Sequence, residues 1–167
     1  MTASWNKSKK CTRTNEGLFT HHIFEDHAIM LSSKGWAIQN PYEWQLAENL
    51  VYCDYLEHLL LHILICEYPA EDANPFEDVG VGGVVNFLVP QLNDLYSGWQ
   101  PQKDYIKVCF ALVREDKPLY LELLKRFKAT DAYARCGESC LCKSFNAQYG
   151  QWPEEENKAL YAELNRL

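Results

Sequence analysis

The chain carries five histidines, and all of them fall between positions 21 and 62 of its 167 residues. His21 and His22 are adjacent, and His58 and His62 stand four apart. A neutral imidazole binds zinc and similar divalent ions at about 2.0–2.1 Å. It also titrates near pH 6.5, so it can carry protons at working pH. Residues four apart on a helix share one face, so His58 and His62 can address a single ion. Neighbours on a strand point to opposite faces. If His21 faces that ion, His22 faces elsewhere and is placed for proton transfer. Three protein ligands leave positions open for water and substrate, which is the catalytic pattern.

Such a site needs a strand under the adjacent pair and a helix under the spaced pair. Residues 17–23 read as a strand, with Leu18, Phe19, Thr20 and Ile23 favouring extended backbone. A long mixed connection follows, punctuated by Ser32-Ser33-Lys34-Gly35 and Asn40-Pro41. A short helix is expected over 41–45, with Asn40 as its cap and Pro41 in its first position. Residues 49–53 read as a second strand. Asp54 with Glu57 three residues on predicts a capping box, opening a helix to about Cys66 that Pro69 stops.

The order His21-His22-Ile23, Asn49-Leu50-Val51, Glu57-His58 and His62 resembles the ββα-metal motif of the HNH (His-Me finger) nucleases, as in the DNase colicins and many phage HNH proteins. The resemblance covers residues 17–66, under a third of the chain. It implies an α+β fold: a ββα-metal motif followed by a mainly helical C-terminal region. It implies His21, His58 and His62 as ligands of one divalent ion, Zn2+ or Mg2+ with Mn2+ and Ni2+ as further candidates. His22 is then the general base, and Asn49 braces the loop and orients that base through a backbone carbonyl. The implied activity is endonucleolytic hydrolysis of phosphodiester bonds, in DNA ahead of RNA. The ion would polarise a phosphate oxygen and stabilise the leaving 3′ oxygen. The sequence departs from the colicin pattern at Phe19, where those nucleases carry an acidic residue, and it has no paired Cys-x-x-Cys knuckles.

Other residues carry blander readings. His27, Glu25 and Asp26 read as a solvated loop face, Glu25 and Asp26 having histidine orientation as the alternative. Trp36, Trp44 and Tyr52 read as packing under the long loop ahead of base stacking. Cys53 and Cys66 read as core. Cys136, Cys140 and Cys142 form a C-x3-C-x-C cluster that lacks a near fourth ligand and is a weak second metal site. Gly80-Val81-Gly82-Gly83 reads as the end of a linker over 67–83. It is no phosphate loop, because it lacks the Gly-Lys-Ser/Thr ending.

Residues 84–97 read as a helix that Pro90 kinks or breaks, and 105–113 fits strand or helix equally. Residues 117–128 form an amphipathic helix with Leu119, Leu121, Leu123, Leu124 and Phe127 on its apolar face, and 154–167 a last helix with Pro153 near its first turn. The divisions are a flexible basic arm over 1–16, the motif over 17–66, and a helical region over 67–167 packed on it as one domain overall. That region could bind a protein partner or a second copy.

The formal charge of −7 argues against a protein that coats nucleic acid. Lys7, Lys9, Lys10 and Arg13 of the arm are candidate phosphate contacts. Residues 17–66, in contrast, set Lys34 alone against six carboxylates, a setting for a cation. With 47% apolar residues a core can be buried. No apolar run approaches the roughly 18 residues of a membrane span, the N-terminus does not read as a secretory signal, and seven cysteines form no disulfide framework. The expected location is cytoplasmic, without membrane contact. The alternative to an enzyme is a non-catalytic zinc-binding interaction module.

Overall fold

The architecture was obtained as a computed structural model and is described for residues 11–74, 76–148 and 154–167. Strand β1 (Phe19–His22) ends where the chain turns into a 3-10 turn, Ile23–Asp26. A short helix α1 (Lys34–Ala37) and two further 3-10 turns, Tyr42–Gln45 and Ala47–Asn49, lead to strand β2 (Leu50–Cys53). The two strands pair antiparallel, with Phe19 opposite Cys53 and His22 opposite Leu50. Helix α2 (Tyr55–Glu67) follows after one residue.

That one residue is Asp54, and the capping box forms as its spacing predicts. The Asp54 carboxylate accepts from the amides of Leu56 at 2.8 Å and Glu57 at 2.9 Å. The Glu57 carboxylate accepts from the Asp54 amide at 2.9 Å. A cap of this kind contributes about 0.5–2 kcal/mol. It also fixes where the helix starts, and therefore the rotation that aims His58 and His62.

The remainder is helical: α3 (Val89–Tyr96), α4 (Asp104–Val113), α5 (Lys117–Lys128), α6 (Asp131–Cys136), α7 (Phe145–Gln148) and α8 (Glu154–Leu164). The fold is thus α+β and mostly helical, with one two-stranded sheet. One buried cluster runs from Tyr55, Leu59 and Ile63 of α2 through Leu92, Phe110 and Leu124 to Leu160 and Leu164 of α8. Among the described residues no helix is long and apolar enough to cross a membrane.

Several expectations change. Segment 105–113 is helical. Leu119 is exposed, and Tyr120 takes its place in the core of α5. Pro90 does not break the helix around it. A proline ring crowds the carbonyl one turn upstream, and here a π-helical turn, Gly83–Leu88, lies immediately before α3 and widens the backbone there. Residues 11–16 are no loose arm. Arg13 bridges Leu18, the Cys109 thiol points at the Thr14 carbonyl, and Gly17 lies against Leu112 of α4. Lys7, Lys9, Lys10 and Pro153 lie outside the described residues.

A buried polar network ties α3 to the C-terminal segments. Asn93 donates to the carbonyls of Leu141 and Lys143 and accepts from the Tyr120 hydroxyl. Asp94 accepts from the amide of Asn146 at 3.2 Å. Burial pushes the Asp94 carboxyl up to about 7, against the opposing pull of those amides. The folded state therefore keeps a proton that the unfolded chain has already released. That stability is complete below the ordinary carboxyl pKa and is lost as pH rises through about 7. Denaturant unfolding on either side of that pH should show the fall, at no more than about 1.4 kcal/mol per pH unit. Asp94→Asn should flatten it.

Candidate metal centre

His21 leaves β1 toward α2, where His58 and His62 sit one turn apart. Their ring centroids form a near-equilateral triangle, with His21–His58 at 5.1 Å, His21–His62 at 5.0 Å and His58–His62 at 4.9 Å. Imidazoles bound to one tetrahedral ion at about 2.0–2.1 Å would place their centroids about 5 Å apart. One ligand atom from each ring lies within 4.8 Å of the other two. The three histidines named from the sequence do converge, and the group could hold a metal ion.

The electrostatics fit a cation. Burial pushes His58 down to about 3 and His62 down to about 4, and it lowers His21 as well. All three are neutral at working pH, with lone pairs available. Among the described residues, the Nδ1 atoms of His21, His22, His58 and His62 are buried and make no hydrogen bond. Buried polar atoms in that state are rare in native structures and call for an ion or water.

Glu25 supplies the anion, and it corrects the reading of a solvated loop residue. Its side chain is only 13% exposed. Its Oε2 lies 3.5 Å from Nδ1 of His21 and 3.4 Å from Nε2 of His62, and its Oε1 lies 3.4 Å from Nδ1 of His22. Burial raises this carboxyl, but the His22 contact and the surrounding imidazoles outweigh it and hold the group below its usual range. A buried carboxylate among neutral rings is a site short of positive charge. A divalent ion corrects that shortage.

His22 does not simply face away from the site. β1 ends at His22, and the 3-10 turn that follows folds Glu25 back beneath the strand end. One carboxylate thereby reaches both histidines. Gln45 fixes the His22 proton. Its amide nitrogen donates to the Leu31 carbonyl at 3.2 Å, which leaves Oε1 to accept from Nε2 of His22 at 3.1 Å. That contact places a proton on Nε2 of His22, and Nδ1 faces the Glu25 carboxylate. Asn49 donates to the Glu43 carbonyl at 2.8 Å. It braces the turn that presents Gln45, so the ring is oriented through the amide oxygen of a glutamine side chain and not through a backbone carbonyl.

Gly83 was hidden in the supposed linker. A Cβ there would collide with Cγ, Nδ1 and Cε1 of the His62 ring. Gly80, at φ +80°, lies against the His62 carbonyl. The glycines are the surface on which the His62 ring rests. The remaining candidates stand apart. His27 bonds Asp26 at 2.6 Å and approaches Asp72 at 3.3 Å. Trp44 stacks on Phe24 at 5.0 Å. Arg13 pairs with Glu16 and lies over the Tyr52 ring. Cys136, Cys140 and Cys142 do not converge as a metal site among the described residues. Cys140 is buried in the core, and the Cys142 thiol points at Asn165.

His58, His62 and Glu25 also line a cavity of about 540 Å³, walled by Phe19, Tyr55 and the π-helical turn. Comparison of the chain with protein-family models, curated proteins and solved structures gives no match.

Gly83→Ala should displace His62 and weaken metal binding about 10- to 100-fold, as loss of ligand support generally does. Titration against a chromogenic chelator measures it, with circular dichroism as the folding check. Gly35→Ala, where an added Cβ meets nothing within 4 Å, is the control and should bind as the parent does.

Proposed function

We propose that the chain is an HNH endonuclease, a His-Me finger enzyme that hydrolyses phosphodiester bonds, in DNA ahead of RNA, with one divalent ion. The observation that carries this reading is the meeting of three neutral histidines from a strand and the helix after its partner strand, with a fourth beside them whose Nε2 meets Gln45. His21, His58 and His62 would hold the ion. When bound, it supplies Lewis-acid stabilisation of the charge that develops on phosphate and leaving oxygen.

The protein groups divide the remaining work. His22 takes the proton of the attacking water on Nδ1, the nitrogen that faces Glu25 rather than Gln45. Glu25 lies 3.4 Å from that nitrogen and stabilises the imidazolium that forms. Glu25 also keeps the neighbouring rings in place before substrate arrives. Asn49 acts at one remove, by holding the turn that carries Gln45.

A second reading, a non-catalytic zinc-binding module, draws on one specific observation. Both ring nitrogens of His22 face protein groups, Gln45 and Glu25, and His22 is 7% exposed. A histidine held in that way can serve purely to brace a structural site.

Incubation of the purified chain with plasmid and with RNA, with and without Mg2+, Mn2+, Ni2+ or Zn2+, separates the two. The enzyme reading predicts metal-dependent cutting, reduced about 10²- to 10⁴-fold in His22→Ala, as for loss of a general base. Absence of cutting with every metal, while one ion still binds, favours the module.

A further inference from the structure

The cavity beside the histidines indicates the form of the substrate. It measures about 540 Å³, well inside the range of roughly 300–1,000 Å³ typical of ligand sites. His58 and His62 stand in its wall, so an ion on the three histidines opens into it. Its lining contains Glu25 and Asp78 and, among the described residues, no lysine or arginine. Arg135 stands behind the wall but is paired with Asp78, so among the lining residues no cation is left for a phosphate and an ion on the histidines would have to supply it. The scissile phosphate therefore belongs at the histidine end, and what fills the rest must be an uncharged part of the same molecule.

The walls suit a flat, weakly polar ring. Phe19 occupies the position where colicin-type nucleases have an acidic residue, and it packs 4.5 Å from the Tyr55 ring. Phe87 and Met30 line the cavity although 50% and 41% exposed, which leaves large apolar surface facing an opening. Met30 holds φ at +56°, a conformation that costs a non-glycine residue energy and that concentrates at functional sites. Asn86 lies next to Phe87 and offers an amide to a base edge. Both belong to the π-helical turn that starts at Gly83 against the His62 ring. Turns of this kind are rare and recur at functional sites. Here the turn joins the support of a metal ligand to the cavity wall.

Resting on the endonuclease reading, we infer that the cavity takes an unstacked nucleobase of the nucleotide next to the scissile phosphate, so that the substrate is single-stranded nucleic acid. A base inside a duplex is stacked and paired and cannot enter without being extruded. Aromatic side chains that receive unpaired bases bind them with little regard to sequence.

The test uses the full chain, a labelled single-stranded oligonucleotide, the same strand in duplex, and the single strand with one abasic nucleotide. Cleavage is followed with each of the four metals. Binding is followed separately by fluorescence anisotropy on His22→Ala. The inference predicts that the single strand is cut at least about tenfold faster than the duplex, and that cuts avoid the abasic position. It predicts that Phe87→Ala in the His22→Ala background weakens single-strand binding about tenfold and leaves duplex binding unchanged. Asn86→Ala, at an exposed position, should act in the same direction without affecting folding.

Equal cutting of both strand forms, insensitive to Phe87→Ala, overturns the base pocket and leaves the endonuclease reading intact. No cutting with any metal, but single-strand binding that depends on Phe87, supports the pocket and overturns the endonuclease reading. No cutting and no preference in binding overturns both.

Discussion

The structure depends on one carboxylate, Glu25, set among the buried imidazoles of His21, His22 and His62, with half-buried His58 beside them and, among the described residues, no cation of the protein's own in contact. Desolvation keeps His58 and His62 uncharged far below the ordinary range, and their Nδ1 atoms gain no hydrogen bond in return. An arrangement of this kind is costly in a bare protein, because each buried polar atom left unpaired costs about 1–3 kcal/mol. A divalent ion would meet that cost directly: it would take lone pairs, offset the Glu25 charge and link β1 to α2. The strand register, the Asp54 cap, the Gln45 clamp and the glycine bed under His62 can all be understood as parts that hold those donors at one point.

Charge distribution then decides what kind of chemistry suits the site. The cavity wall is apolar and acidic, while the described basic residue closest to the site's strands in sequence, Arg13, is paired with Glu16 and the Tyr52 ring. Among the described residues, that wall therefore offers no basic side chain to attract an anion. On the endonuclease proposed above, the ion would do the electrostatic work on the phosphate and neutral contacts would do the positioning, a division that would let a chain of charge −7 act on a polyanion.

What the sequence made legible was local. Strand, cap and helix could be read from β-propensity, from Asp54 and Glu57, and from Pro69. The ligand set could be read because i, i+4 spacing and the adjacent pair carry geometry in themselves. Glu25 read first as a solvated loop residue, with histidine orientation only as the alternative, because its role depends on the chain doubling back after His22 and the turn Ile23–Asp26 carries no periodicity to announce that. Gln45 escaped because a glutamine in a loop has no default partner. Gly83 looked like linker because its function is the absence of a side chain opposite a ring 21 positions earlier. The segment 105–113 could not be assigned from pattern, and its helix is decided by packing against the core. Pro90 leaves the helix unbroken because a π-helical turn accommodates it, and that turn leaves no mark in the sequence.

X-ray absorption at the metal edge tests the central claim most directly, that His21, His58 and His62 share one ion. Protein loaded with one equivalent of zinc should show imidazole nitrogen at about 2.0–2.1 Å, and three such ligands should fall to two in His58→Ala. Sulfur scattering at about 2.3 Å would place the ion on cysteines and contradict the account, as would an unchanged spectrum in His58→Ala.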